Sequence, residues 1–120
     1  MTVRASDDAY AGQLVPDRNN NTEKLVAGSR PGDRKVTYLK FAVPRLPTGA
    51  SDVTAQLWLT RDLHHLPPSV ELSEVADTRW SEQTLTMTNS PPLTRWLARA
   101  TPTRETTELA FMLPTGTVTG

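Results

Sequence analysis

The chain has 120 residues, with 13 basic against 13 acidic side chains, 10 prolines, 3 tryptophans and no cysteine. Its length carries one domain's core, read as a single domain over residues 1–120. Zero net charge and scattered arginines exclude a field that would recruit nucleic acid or an anionic membrane, and the missing cysteines exclude disulfides, thiolate catalysis and cysteine-held metals.

Prolines, threonines and the lack of a helical period favour strands throughout. Thr2–Ala5 reads as a short opening strand. Gln13–Asn21 is a polar loop whose consecutive asparagines favour turns by bonding their own backbone. Lys24–Ala27 makes a brief strand, ended by the turn residues Gly28–Asp33. Lys35–Val43 is a clearer strand. Thr37, Leu39, Phe41 and Val43 share one face, and Val36, Tyr38, Lys40 and Ala42 take the other.

Val53–Thr60 alternates most cleanly. Val53, Ala55, Leu57 and Leu59 point toward a core, and Thr54, Gln56, Trp58 and Thr60 point away from it. Arg61–Pro68 is a loop carrying His64 and His65. Val70–Val75 alternates again, with Glu71 and Ser73 outward, and Asp77–Glu82 is a connection with room for one helical turn. Thr84–Thr88 reads as a strand with Leu85 and Met87 inward. Leu93–Ala98 contains Trp96, and Glu108–Leu113 puts Leu109, Phe111 and Leu113 on one face. Seven or eight short strands separated by turn residues predict an all-β, antiparallel β-sandwich of jelly-roll type.

Several motifs, in order, resemble the DNRLRE domains, the group that includes carbohydrate-binding module family 96. Ala5–Tyr10 resembles the opening A-x-x-D-A/T-Y, and Asn19–Asn21 lies where the family has its N-x-N-Y-G turn. Tyr38–Phe41 matches Y-L-[KR]-F, with Arg34 upstream, and Val53–Leu57 matches V-T-S/A-A-x-L. Val75–Thr86 resembles V-x-D-x-x-W-x-E-x-x-[IL]-T, and Asn89–Pro91 the following N-A-P. Two departures stand out: Met87 occupies a position where the family usually has tryptophan, and members typically continue for further strands beyond the equivalent of Gly120. The resemblance implies a jelly-roll module of secreted polysaccharide-degrading or cell-surface proteins, with carbohydrate binding assigned to some members, and shortened or rearranged C-terminal strands here.

Trp58 is the sharpest binding candidate, since sugar rings present apolar C–H faces that stack on indole. Gln56 flanks it, and Tyr38 and Lys40 lie on the analogous polar face of a strand expected to neighbour it. Trp80 reads as a core plug, whereas Trp96 suits an exposed platform and edge packing equally. Asp17, Asn19, Asn21 and Glu23 imitate the first half of an EF-hand loop, but Thr22 and Gly28 stand where glycine and the bidentate glutamate belong, so that reading fails. Jelly-roll binding modules often carry a structural calcium near the first strand, which marks Asp7 and Asp8 as candidate ligands. Adjacent histidines point to opposite sides of an extended chain, which disfavours a zinc site at His64 and His65. Asn20-Asn21-Thr22 is formally a glycosylation acceptor.

No nucleophile elbow, zinc-protease motif or phosphate loop is present, and nothing in the pattern links Glu71, Glu74 and Glu82 into a hydrolytic pair. With no catalytic set to assign, the function that the resemblance implies is non-catalytic polysaccharide binding. The alternative is a structural or assembly module whose open sheet edge takes a strand from another copy or chain. Residues 1–15 lack a signal-peptide core, so the secreted or surface location rests on the resemblance.

Overall fold

A computed structural model describes residues 2–22, 25–44, 54–60, 69–103, 105, 107–114 and 117. Among them the chain is all-β, antiparallel and without helix. The strands are β1 (Asp7–Gly12), β2 (Gly28–Arg30), β3 (Asp33–Lys40), β4 (Gln56–Thr60), β5 (Val70–Glu74), β6 (Arg95–Ala100) and β7 (Glu108–Met112). They form the sheets β1-β3-β2, β4-β7 and β5-β6, divided between two compact units. One unit comprises Met1–Val43 with Val75–Pro92, the other Pro44–Glu74 with Leu93–Gly120.

In the first unit β1 and β3 pair from Asp7↔Lys40 to Gly12↔Lys35. Pro31 and Gly32 close the β2–β3 hairpin. Gly32 takes φ 76, a left-handed value that costs a glycine no Cβ clash, after a proline that presets its own φ. Ala9 and Ala11 have no exposed surface and stand opposite Tyr38 and Val36, so small residues on β1 make room for large ones on β3. Leu85 completes this core at 1% exposure, with Val75, Trp80 and Met87 packed against it.

Leu85 and Met87 do face inward, but Thr84–Thr88 is a succession of turns and not a strand. Asn89 is the cause. Its Oδ1 accepts from the Thr86 amide at 2.8 Å and its Nδ2 donates to the Thr84 carbonyl at 2.8 Å, bonds that a ladder would otherwise need. Of the connection Asp77–Glu82, residues 77–81 form no helical turn; a single turn opens only at its end, where the Ser81 carbonyl accepts from the Thr84 and Leu85 amides. The expected strand at Thr2–Ala5 is also absent: pairing begins at Asp7, where the Lys35–Lys40 partner segment ends. Leu25–Ala27 precedes its strand instead of forming it, and Lys24 lies outside the described residues.

In the second unit β4 pairs with β7, placing Leu57 opposite Phe111 and Leu59 opposite Leu109. The inner faces of β4–β7 and β5–β6 meet in one cluster built on Leu97, Ala98, Leu109 and Phe111, with Leu57, Leu59, Val70 and Leu72 packed against it. Each fully buried leucine or phenylalanine contributes about 2 kcal/mol by removing apolar surface from water. Val53, the start of the expected strand, lies outside the described residues.

Candidate functional site

The alternation of β4 and β7 that buries Leu57, Leu59, Leu109 and Phe111 turns Gln56, Trp58 and Thr60 outward beside Glu108, Ala110 and Met112. Trp58 is 57% exposed, and its direct cross-strand neighbour is Ala110, too small to cover the ring. The indole Nε1 donates to Gln56 Oε1 at 3.1 Å. Gln56 Nε2 in turn lies 2.9 Å from the sulfur of Met112, itself exposed. The result is a flat aromatic surface whose polar edge is tied down, bordered by an amide, a thioether, a hydroxyl and a carboxylate. Such a face offers stacking to an apolar ring face and hydrogen bonds to groups around that ring.

Tyr38 and Lys40 do not belong to this face. They sit on β3, which pairs with β1 and β2, whereas β4 pairs with β7. The Val36–Tyr38–Lys40 side of β3 is its inner side, the reverse of the facing expected. Tyr38 is 6% exposed, donates its hydroxyl to the Pro91 carbonyl at 2.9 Å, and meets Trp80 edge-on with centroids 5.7 Å apart. Lys40 lays its ammonium 4.7 Å from the centroid of the Trp80 ring and donates to the Trp80 carbonyl. Both side chains have polar tips with internal partners, which is why polarity alone mis-assigned their side. They hold Trp80, whose core-plug role matches its packing against Tyr38 and Leu85.

Trp80 also lines a depression of about 400 Å³ with Asp77, Arg79, Thr84 and Asn89. Arg79 grips Asp77 through Nε and Nη2, each at 2.9 Å. Those bonds, with the Arg79 amide, hold the Asp77 carboxyl down to about 2.

Asp7 and Asp8 are joined to the 75–92 segment. Asp7 Oδ1 accepts from the Glu82 amide at 3.1 Å, Asp7 Oδ2 from the Ser6 hydroxyl at 3.3 Å, and the Asp8 amide donates to Glu82 Oε2 at 3.0 Å. Among the described residues no three acidic or histidine side chains gather as a metal-binding group. The asparagine loop is similarly structural. Asn19 Nδ2 donates to the carbonyls of Glu82 and Leu85 at 2.9 and 2.8 Å, and Asp17 Oδ1 accepts from the Thr88 hydroxyl at 2.7 Å. Asn20 is 7% exposed and bridges Tyr10, so its amide is poorly placed as a glycosylation acceptor. His64 and His65 lie outside the described residues.

The arrangement around Trp96 is absent from the pattern of the sequence. Its Nε1 donates to Glu71 Oε2 at 2.5 Å, while Arg99 Nε donates to Glu71 Oε1 at 2.6 Å. Glu71 was readable as an outward residue, and Trp96 as an open question. The link between them depends on a register shift in β5–β6 that no alternation reveals.

No solved structure matches the chain. A gellan lyase from a Bacillus species is 36% identical over 90 residues, covering 72% of this chain and 4% of that protein, so the chain spans only a small part of this relative's length. The family profile of carbohydrate-binding module family 96 matches residues 1–111. With motifs, β-fold and profile in agreement, the chain belongs to carbohydrate-binding module family 96.

Proposed function

We propose that this chain binds polysaccharide without transforming it, through the outer face of β4–β7, with Trp58 as the stacking surface and Gln56 as its hydrogen-bonding neighbour. The observation that carries this reading is the exposed indole of Trp58, held by its N–H to Gln56 at 3.1 Å and faced by Ala110 across the ladder. A tryptophan already fixed in place loses little rotamer freedom on binding, which favours affinity. Weak single contacts gain strength when a module is tethered to an enzyme or repeated, and we place the chain as one jelly-roll module of a secreted or surface protein. The curated relative's name makes gellan the first glycan to test.

Native affinity electrophoresis through gels containing gellan, xanthan, alginate, xylan or hydroxyethylcellulose tests the proposal. Retardation of the wild-type protein by at least one glycan, relieved in Trp58→Ala, supports it. Unretarded migration in every gel removes the function, and equal retardation of the variant removes the site. A structural calcium ion at Asp7 and Asp8 is tested by thermal unfolding in EDTA against CaCl2: a melting temperature raised by calcium supports it, and an unchanged one opposes it.

One observation favours the assembly reading as a second possibility. Among the described residues β2, β4, β5, β6 and β7 each pair with a single strand, so each of these five has an edge with no described partner strand. Sedimentation velocity reads this directly: concentration-dependent association supports it, and a monomer at all concentrations opposes it.

A further inference from the structure

We propose that the outer face of β5–β6 is a second glycan-binding face, built on Trp96, Glu71 and Arg99 and taking a pyranose ring with vicinal hydroxyls. The proposal rests on the reading that the chain is a glycan-binding module, and it adds a site independent of Trp58.

The face is created by one extra residue. Leu72 pairs with Ala98 but Ser73 pairs with Trp96, which leaves Leu97 as a bulge opposite no partner. Leu97 and its neighbour Ala98 are consequently both buried, each at 9% exposure. In a regular strand Trp96 and Arg99, three positions apart, would point to opposite faces. The bulge brings them to the same side, where both reach Glu71.

Their chemistry suits a sugar. Trp96 is 58% exposed, so its ring is open for stacking. The Glu71 carboxylate fixes that ring through the indole N–H and accepts Arg99 Nε on its other oxygen. A carboxylate has about four acceptor positions, two of which remain, and Arg99 keeps its Nη hydrogens beyond the Nε bond. Vicinal hydroxyls present donors and acceptors at the spacing such a carboxylate–guanidinium pair offers. The indole and guanidinium also hold Glu71 below the ordinary carboxylate range, which keeps it an acceptor in mildly acid solution. Glu71 and Arg99 cancel in charge, so recognition here depends on hydrogen bonding and stacking more than on a long-range field.

Trp58 and Trp96 stand on opposite outer faces of the same unit. The inner faces of β4–β7 and β5–β6 share one apolar cluster, so the two indoles point away from a common core. Both have the same construction: an exposed ring whose N–H is tied to a side-chain oxygen on its own sheet. One such unit holds two glycan segments at once, back to back, and bridges neighbouring polysaccharide chains.

Indole N–H cross-peaks in a 15N correlation spectrum separate the sites, because each tryptophan gives its own signal. The probe is the glycan that retards the wild type most, cut to short oligosaccharides, with gellan oligosaccharides as the starting case. Peaks are assigned with Trp58→Ala and Trp96→Ala. The expected result is saturable movement of both indole peaks, with the Trp96 movement keeping its midpoint in Trp58→Ala. Glu71→Gln, which preserves shape and removes the charge, is expected to weaken the Trp96 site roughly tenfold and leave the Trp58 midpoint in place. Movement of Trp58 with a stationary Trp96 overturns the second site and leaves the first reading intact. Movement of Trp96 with a stationary Trp58 does the reverse. Two stationary peaks sink both.

Discussion

Replacing Tyr38 by phenylalanine separates a structural role from a binding one at a position where the sequence pattern suggested the latter. The substitution removes a single oxygen, the donor of the 2.9 Å bond to the Pro91 carbonyl. Tyr38 is 6% exposed and Pro91 is buried, but Pro91 also lines the depression beside Trp80, which gives water partial access to its carbonyl. A buried carbonyl left without its partner costs about 1–3 kcal/mol. The ring itself stays, with its edge-on contact to Trp80 and its place opposite Ala9, so no cavity term is added. The expected loss is therefore about 1–2 kcal/mol, seen as a lower urea midpoint at unchanged slope. Glycan affinity of the folded variant should equal that of the wild type. A Tyr38→Phe protein that keeps its midpoint but loses glycan binding would refute this placement and return Tyr38 to the ligand.

Asn19→Ala removes two bonds that pin the turns around Glu82 and Leu85. A loss of about 1–2 kcal/mol is expected, with faster hydrogen exchange concentrated between residues 82 and 89; exchange unchanged there would contradict the pinning. Asp77 should titrate with a midpoint of about 2 by carboxyl NMR. Since its folded value lies below its unfolded one, its contribution to stability is complete above about pH 4 and is lost as pH falls through the folded value. The difference in midpoint between wild type and Asp77→Asn should therefore shrink between pH 4 and pH 2, and a constant difference would show that the Arg79 bonds are not formed in solution.

Residue order reveals some elements of this molecule and hides others, for identifiable reasons. β4 and β7 are legible because Leu57, Leu59, Leu109 and Phe111 recur at every second position, giving one buried and one open face. Trp58 therefore comes out on the correct side. The inner face of β3 is not legible, because a tyrosine hydroxyl and a lysine ammonium look like solvent-facing groups until Pro91 and Trp80 supply their partners. Thr84–Thr88 has a strand's alternation, and Leu85 and Met87 obey it, yet Asn89 captures the backbone into turns. Trp96 and Arg99 are hidden most deeply. Their separation carries the wrong parity for a shared face, and only the bulge at Leu97 corrects it. The asparagine loop reads as solvated turn from composition, while the Asn19 side chain is spent on the distant carbonyls of Glu82 and Leu85.

The claim at the centre of this account is that the exposed indole of Trp58 is the surface on which glycan rests. Titration calorimetry with the best-retained glycan, comparing wild type, Trp58→Ala and Trp58→Tyr at the β4–β7 face, tests it most directly. Trp96→Ala serves as the common background, so that only one face reports. Loss of a central tryptophan anchor costs about 2 kcal/mol or more, which is roughly 30-fold in Kd. The account predicts that weakening for alanine, a partial recovery with tyrosine, and unchanged thermal unfolding in both. Equal affinity of the alanine variant and its background would contradict it.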